Sequence, residues 1–424
     1  MRAPYWVYHP LMQGYHNPTP NRDPALRPQP EYNEGESPKF PAFSHLLMTP
    51  SQSLAKLPDE ETKQRIGRAF FGSAFEQGGG LDAFEYYFNY YEEEIDWLQG
   101  GVTPETDQLA GLAAQTHDDL LIIANVLRKN ADCKRSEIRA KVRESNGRND
   151  REDWAFDRSI DITIRLWLQI NIRDTLFRDT GKGVPDVQWD ELQTLTEFLS
   201  SLFPVAEWEL GAKERRLDPY FTGANMVEFC DLKIDWTTSL EDHLRLDRVK
   251  KVLWVFPYKR NLQALLSEAD NGHGSPLPAT VLKETIQTLD LLFPFWDERT
   301  KEFLRNEGQY FHEIGPFEQG RTLHLLDFAH WKDRLLEVYE EVYQSPPASW
   351  KQLRKDRRNP QQFWTFWIAL VILGLTLVST ITGIVSMATG IVQMNTALEA
   401  TRQQAQDQQR GQVNCRCPGF QRTG

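Results

Sequence analysis

The chain has 424 residues, of which 40% are hydrophobic, and a formal net charge of −12. Because the phosphates of nucleic acids repel an acidic chain, this composition argues against DNA or RNA as a partner. Four cysteines are too few for a disulfide framework in a chain of this length. The length suggests two or three folded units.

The first 55 residues form a proline-rich region that is predicted to be disordered. Ten of the 24 prolines lie within residues 1–50, and each removes a backbone donor and disfavours helix. The region has no continuous apolar core of the kind that a signal peptide needs. Aromatic residues near its start leave a docking arm as the alternative to a disordered leader.

Residues 56–345 are predicted to form an acidic, mainly α-helical domain. The net charge is 0 for residues 1–50, +4 for 346–362 and +2 for 363–424, which leaves −18 for residues 51–345. A long helix is predicted over 103–130, with Thr103 as its cap and Pro104 in its first turn. Further helices are predicted over 82–100, 136–145, 189–203, 279–293 and 328–344.

Two stretches carry strand signals. Residues 160–172 alternate apolar and polar side chains, which is typical of a strand, but their spacing also fits a helix face, and helix is favoured because the stretch is long for a strand. Between residues 230 and 258, the runs LKIDWT, HLRLD and KVLWVF predict a small antiparallel β element.

Four residues are candidates for catalysis. His117 and Asp118 resemble the His-Asp pair of metal-dependent phosphohydrolases, although that chemistry needs further converging ligands. Asp242 and His243 lie beside the predicted sheet, and a histidine between acids can titrate near neutrality. For both pairs a structural role is the competing interpretation. The sequence holds no complete phosphate-binding loop or nucleophile elbow, and it predicts no cofactor and no metal site.

A transmembrane helix is predicted over 363–392. No charged side chain occurs from Asn359 through Leu398, and fifteen of the thirty residues in 363–392 are Phe, Ile, Leu or Val. A helix needs about 20 apolar residues to cross a bilayer. No earlier segment is comparably apolar, so the chain is predicted to span the membrane once.

The residues around the span predict its orientation. Basic residues remain on the cytosolic side, and tryptophan rings anchor at the interface. The linker over 346–362 is basic, so the large domain is predicted to face the cytosol and the tail over 393–424 to be translocated to the lumen or the exterior. The anchoring residues at the upstream end of the span are Lys351, Arg354, Lys355, Arg357, Arg358, Trp364 and Trp367.

One face of the predicted span carries small residues, namely Ser379, Gly383, Ser386 and Gly390. Their three- and four-residue spacing lets two helices approach closely, which makes self-association through the span a hypothesis. In the tail, Cys415 and Cys417 are two positions apart and could pair with another chain, although a solvated tail is the simpler interpretation.

Three stretches resemble a group of uncharacterised single-pass membrane proteins of filamentous ascomycete fungi. They are FTGANMVEFCDLKIDWTTSLEDHLRL, KVLWVFPYKRNL and the long run from FAHWKDRLLEVYEEVYQ into the apolar segment, and the similarity covers most of residues 65–395. The resemblance implies a helical cytosolic region and one C-terminal membrane anchor. It implies no activity and no catalytic residue.

Two functions remain open at this point. The first is an interaction or scaffold module that is tethered to a membrane and recruits cytosolic proteins. The alternative is a membrane-tethered enzyme of the hydrolase type, with a site assembled from His117, Asp118, Asp242 and His243. Such a site converges only in the folded chain, so the positions of these four side chains discriminate between the two hypotheses.

Overall fold

The computed structural model describes residues 51–99, 109–147, 150–172, 187–206, 216–270, 275–318, 324–344 and 360–413. Within these ranges the chain is mainly helical, as predicted, with one small sheet and one long C-terminal helix. Residues 1–50 of the proline-rich region and 346–359 of the basic linker lie outside the described residues, so their predictions stay predictions.

The helices of the body are α1 (Glu60–Gln77), α2 (Gly80–Ala83), α3 (Glu85–Gln99), α4 (His117–Lys129), α5 (Arg135–Asn146), α6 (Asp153–Leu168), α7 (Leu195–Leu202), α8 (Gly223–Cys230), α9 (Lys259–Asp270), α10 (Ala279–Leu292), α11 (Glu298–Asn306) and α12 (Lys332–Gln344). Three strands follow α8, namely β1 (Lys233–Trp236), β2 (Leu246–Asp247) and β3 (Val252–Val255). The C-terminal helix is α13 (Pro360–Val413).

Helix α4 begins later than the sequence predicted. The prediction placed its cap at Thr103, which lies outside the described residues, but residues 109–116 are turn and irregular structure. Thr116 is the actual N-cap, and it forms a capping box with Asp119 that satisfies two backbone donors. The apolar spacing was similar on both sides of Thr116, and the capping box decides where the helix starts.

Helix α6 explains why residues 160–172 resembled a strand. The helical prediction is confirmed as far as Leu168, and Gln169 then ends the helix with a left-handed backbone (φ 54°). Both faces of the helix are buried, from Ser159 through Leu168. Its polar side chains Asp161 and Arg165 are themselves buried and ion-paired with Arg135 and Glu94, so polar positions on this helix do not mark a solvent-exposed face.

The small sheet is confirmed at the predicted place, but its pairing is mixed rather than antiparallel. Its order is β1-β3-β2, with β1 parallel to β3 and β2 antiparallel to β3. Parallel neighbours need a crossover between them, and residues 237–251 supply it. The prediction was wrong on this point because three short runs close together suggest hairpins, whereas the first connection crosses over.

The body is held together by packing of α1 against α4 and α9, and of α6 against α4 and α5. Helix α1 kinks at Gly72, whose φ of 57° disfavours other residues and where an added Cβ would lie 2.2 Å from the Glu268 side chain. The kink lets Glu268 of α9 accept from the backbone N–H of Ser73 at 3.1 Å. Trp167 of α6 lies in the centre, where its Nε1 donates to the carbonyl of Phe70 at 3.0 Å.

Helix α13 differs from all these elements because none of its most apolar 18-residue window is buried. Pro360 opens it, in a position that suits proline because the first turn lacks carbonyl partners. At about 1.5 Å per residue the helix is roughly 80 Å long, against about 30 Å for the hydrocarbon part of a bilayer. It runs without a break through both predicted boundaries, at 363 and at 392.

Candidate functional site

The first predicted pair, His117 and Asp118, lies at the start of α4 and is engaged by α1 and α3. Lys56 can only accept through its carbonyl, so His117 Nε2 carries the proton and donates to it at 3.0 Å, while Nδ1 accepts from the Tyr91 hydroxyl at 2.9 Å. Asp118 accepts from Arg65 at 2.9 Å. Burial lowers the pKa of His117, which keeps the ring neutral.

The second pair, Asp242 and His243, lies in the crossover between β1 and β3. The backbone N–H of Phe256 donates to His243 Nδ1 at 3.2 Å, so Nε2 carries the proton and donates to the Thr288 hydroxyl of α10 at 2.7 Å. Asp242 pairs with Arg245 at 3.1 Å. Burial and then the charge of Arg334 lower the pKa of His243 to about 3. The expectation that it titrates near neutrality is therefore corrected.

The structure thus gives the two pairs different partners. His117 and Asp118 connect α4 to α1 and α3, whereas His243 connects the crossover to β3 and α10. All four side chains are buried and take part in hydrogen bonds or ion pairs. Among the described residues, no group of three His, Cys, Asp or Glu side chains is arranged to hold a metal ion.

The body has a cleft of about 750 Å³. It lies between the start of α3, the start of α9 and the segment 308–314. This volume is within the range of about 300–1,000 Å³ for ligand pockets. Four tyrosines line it: Tyr87 and Tyr258 are buried, whereas Tyr86 and Tyr310 are 43% and 56% exposed.

Specific contacts hold the three walls of the cleft together. Gln309 Nε2 donates to the Tyr86 hydroxyl at 2.7 Å, which ties the segment 308–314 to α3. Lys259 Nζ donates to the carbonyl of Gly315 at 2.6 Å and pairs with Asp290 of α10 at 2.5 Å. The rings of Tyr86 and Tyr258 lie 5.1 Å apart at an angle of 44°. These contacts within the chain connect the three walls of the cleft.

The charges around the cleft are unevenly distributed. Asp82, Glu85 and Glu313 are exposed on its rim. Lys259 is neutralised by Asp290, so Arg260 is the lining cation without an acidic partner among the residues that the structure places. Burial, with a smaller contribution from the charge of Glu93, raises the pKa of Tyr258, and the pKa of Tyr86 is raised by the same two causes.

A buried polar cluster lies behind the floor of the cleft. Asn261, which lines the cleft, donates from Nδ2 to Gln169 Oε1 at 2.8 Å. The backbone of Gln169 in turn accepts from the N–H of Leu240, next to Glu241. Glu241 accepts from the backbone N–H of Asn171 at 2.9 Å, and burial raises the pKa of its carboxyl to about 7.

Helix α13 has the properties of a membrane span. Its most apolar 18-residue window has a mean hydropathy of 2.4, and none of that window is buried. A polar group in lipid must find its partner within its own helix, and the threonine hydroxyls do so by donating to carbonyls three or four residues earlier. These threonines are Thr376, Thr380, Thr382, Thr389, Thr396 and Thr401.

The residues predicted for anchoring and helix packing fall in two groups. Trp364 and Trp367 lie in the first turns of α13, where Trp364 is 54% exposed. The packing face of Ser379, Gly383, Ser386 and Gly390 lies on the same helix, exposed throughout. The five basic residues Lys351, Arg354, Lys355, Arg357 and Arg358, together with Cys415 and Cys417, lie outside the described residues.

Sequence reasoning missed the cleft. Tyr86 lies in an aromatic-rich stretch that predicted only a helix, and Tyr258 directly follows a strand signal. Gln309 and Tyr310 come from a connection between helices that had no motif. The aromatic density of 84–91 is the one signal in the sequence that pointed to this region.

Comparison of the chain with protein-family models, with curated proteins and with solved structures found no match.

Proposed function

We propose that this protein is a single-pass membrane protein whose acidic body faces the cytosol and serves as an interaction module. The main observation behind the proposal is the exposed apolar surface of helix α13, which would be unfavourable in water. Leu375 is 65% exposed and Ile384 61%, whereas leucines of the body such as Leu289 are fully buried. Contiguous apolar surface of this size marks a membrane or protein contact.

The charges on the two sides of the span support the orientation. The upstream linker carries five basic residues and one acid. Downstream, α13 carries Glu399, Arg402, Asp407 and Arg410, which sum to zero. An excess of Lys and Arg in a short flank keeps that flank cytosolic, so residues 51–344 are assigned to the cytosol and residues 393–424 to the opposite side.

The role as an interaction module is favoured over the hydrolase because of the partners that the candidate residues have. A general base must be able to reach a proton of the substrate, and His243 already uses both ring nitrogens within the fold. The same is true of His117. The body does offer the preformed cleft between α3, α9 and 308–314, which suits binding of a partner.

Self-association through the span belongs to the same proposal. A Cβ added at Gly383 or Gly390 would meet nothing within 4 Å, so neither glycine is required by the fold of a single chain. Glycines at this spacing allow two helix backbones to approach. A second copy of α13 is the occupant that we infer for this face.

Protease protection of the full-length protein in sealed microsomes tests the topology. With one epitope after residue 420 and another before residue 51, added protease should remove the N-terminal epitope and leave the C-terminal one intact until detergent is added. The protein should also remain in the membrane pellet after alkaline extraction. Loss of the C-terminal epitope from sealed vesicles would contradict the orientation, and release by alkali would contradict the span.

A further inference from the structure

The cleft between α3, α9 and 308–314 has the chemistry of a receptor for a cationic side chain. Its lining combines tyrosine rings with a rim of carboxylates. The face of an aromatic ring is negative and attracts ammonium and guanidinium groups within about 6 Å of its centroid. Tyr86 and Tyr310 are the exposed rings of the lining, so they are available to such a group.

The sign of the charge on the lining favours a cation over an anion. Asp82, Glu85 and Glu313 supply three negative charges, and after the pairing of Lys259 with Asp290 only Arg260 opposes them. An anionic ligand in the cleft would be repelled by these three carboxylates. Like charges at this range are unfavourable, and the cost increases as the cleft excludes water.

Arg260 adds a second requirement for the ligand. Its Nε atom is buried, and no acceptor lies within hydrogen-bond distance of it among the described residues. Because Nε is shielded from solvent, a ligand can reach only the outer guanidinium nitrogens of Arg260. A ligand that supplies a carbonyl oxygen to them gains a charge-assisted hydrogen bond that a bare cation lacks. A peptide offers both groups, since its backbone carbonyls lie next to its side chains.

We propose that the cleft binds a peptide segment of a partner protein, with a lysine or arginine side chain held between Tyr86 and Tyr310 under the rim carboxylates and a backbone carbonyl facing Arg260. The hydrogen bond from Gln309 to Tyr86 and the contact from Lys259 to Gly315 preform the walls, which reduces the entropy lost on binding. This inference deepens the proposed role as an interaction module and rests on it.

The test uses the full chain in nanodiscs of neutral phosphatidylcholine and a fluorescein-labelled probe peptide, acetyl-Ala-Lys-Ala-Lys-Ala-amide. Binding is measured by fluorescence anisotropy for the native chain and for a triple variant, Asp82→Asn with Glu85→Gln and Glu313→Gln. Because each exposed rim charge contributes only modestly, we expect loss of all three to weaken binding about tenfold. Tyr310→Ala should also weaken binding.

Matched controls separate the cleft from the general acidity of the body. Glu137, Glu144 and Glu152 are exposed acids of the α5–α6 region, and neutralising all three removes the same charge without touching the cleft. Tyr220, which is 73% exposed, is the control for Tyr310. Equal weakening by the cleft triple and the control triple would overturn the proposal, because the probe would then bind through the overall negative field.

A further variant distinguishes a partner from the chain's own basic linker. Replacement of Lys351, Arg354, Lys355, Arg357 and Arg358 by Gln should leave probe binding unchanged if the cleft serves a partner protein. Tighter binding after this replacement would overturn the assignment, because it would show that the linker occupies the cleft. Protease protection of the epitopes does not depend on any of these results, so failure of the inference remains distinguishable from failure of the proposed topology.

Discussion

The body and helix α13 differ in the partners that their side chains have. Buried Thr288 of the body donates to its own helix and also accepts from a histidine of another segment, whereas each α13 hydroxyl named above donates to its own helix. Most leucines of the body, such as Leu289, are buried, whereas Leu375 and Leu377 of α13 are 65% and 59% exposed. The difference teaches that the body is stabilised by contacts between distant segments, whereas α13 has the exposed apolar surface of a candidate membrane span.

The largest expected effect is on the span. Leu377→Arg combined with Ile384→Arg places two charges near its middle, and each costs about 3 kcal/mol on the insertion scale. We expect the protein to lose membrane integration, measured by alkaline extraction. Leu377→Ala with Ile384→Ala is the control and should stay integrated. If the arginine variant remained in the pellet, α13 would be held by something other than lipid.

A large effect confined to the body is expected from Trp167→Ala. The substitution leaves a cavity between α6 and α1 and removes the hydrogen bond to Phe70, and large-to-small changes of this kind cost about 3–5 kcal/mol. Urea unfolding of the full chain in detergent, followed by circular dichroism, measures the loss. Leu375→Ala in α13 should leave the urea midpoint of the body unchanged. A comparable loss from both would show that the two regions unfold as one unit.

Glu241 and His243 give the body opposing pH dependences. The pKa of His243 is lowered to about 3, so its contribution to stability is present above its unfolded pKa of about 6.5 and is lost as the pH falls from there towards 3. The pKa of Glu241 is raised to about 7, so its contribution is present below its unfolded value and is lost as the pH rises towards 7. Between pH 4.5 and 6.5 the two trends oppose each other.

Single variants should separate these trends. His243→Gln should make the body more stable on acidification from pH 7 to pH 5, and Glu241→Gln should make it less stable, by about 2 kcal/mol in each direction. Both residues are buried beside Arg334, whose Nη1 donates to the carbonyls of 241 and 243 at 2.6 Å. The free energy of unfolding at the two pH values is the measurement, and the same trend in both variants would contradict the assignment.

The smallest effects are expected from replacing one threonine by valine in each region. Thr116→Val removes the N-cap of α4 and should cost about 1 kcal/mol of body stability, because Asp119 loses its capping partner. Thr376→Val removes a hydroxyl that bonds only to its own helix, so membrane integration and body stability should both stay within about 0.5 kcal/mol of the native values. Urea midpoints and alkaline extraction measure the two. A substantial loss from Thr376→Val would indicate a partner for that hydroxyl.

Local sequence signals were sufficient to predict α13 and several helices of the body. A run of forty residues without charge and with many apolar side chains has few structural solutions, and the helix covers the predicted span completely. The starts of helices were less well predicted, as Thr116 shows, because apolar spacing continues through turns. The parallel pairing of β1 with β3 was not predicted, because it depends on the path of the crossover. Short-range sequence patterns contain no information on that path.

The sequence by itself determined the mainly helical class, the acidic body and the apolar C-terminal helix, since these depend on composition and on spacing within about one or two turns. Only the tertiary structure decided that the rings of His117 and His243 are buried, with lowered pKa values, and hydrogen-bonded to other segments. It also decided that α6 is buried on both faces. It also decided that Tyr86, Tyr258 and Tyr310 line one cleft. The physical reason is that burial and desolvation come from residues far apart in the chain, so no local pattern encodes them.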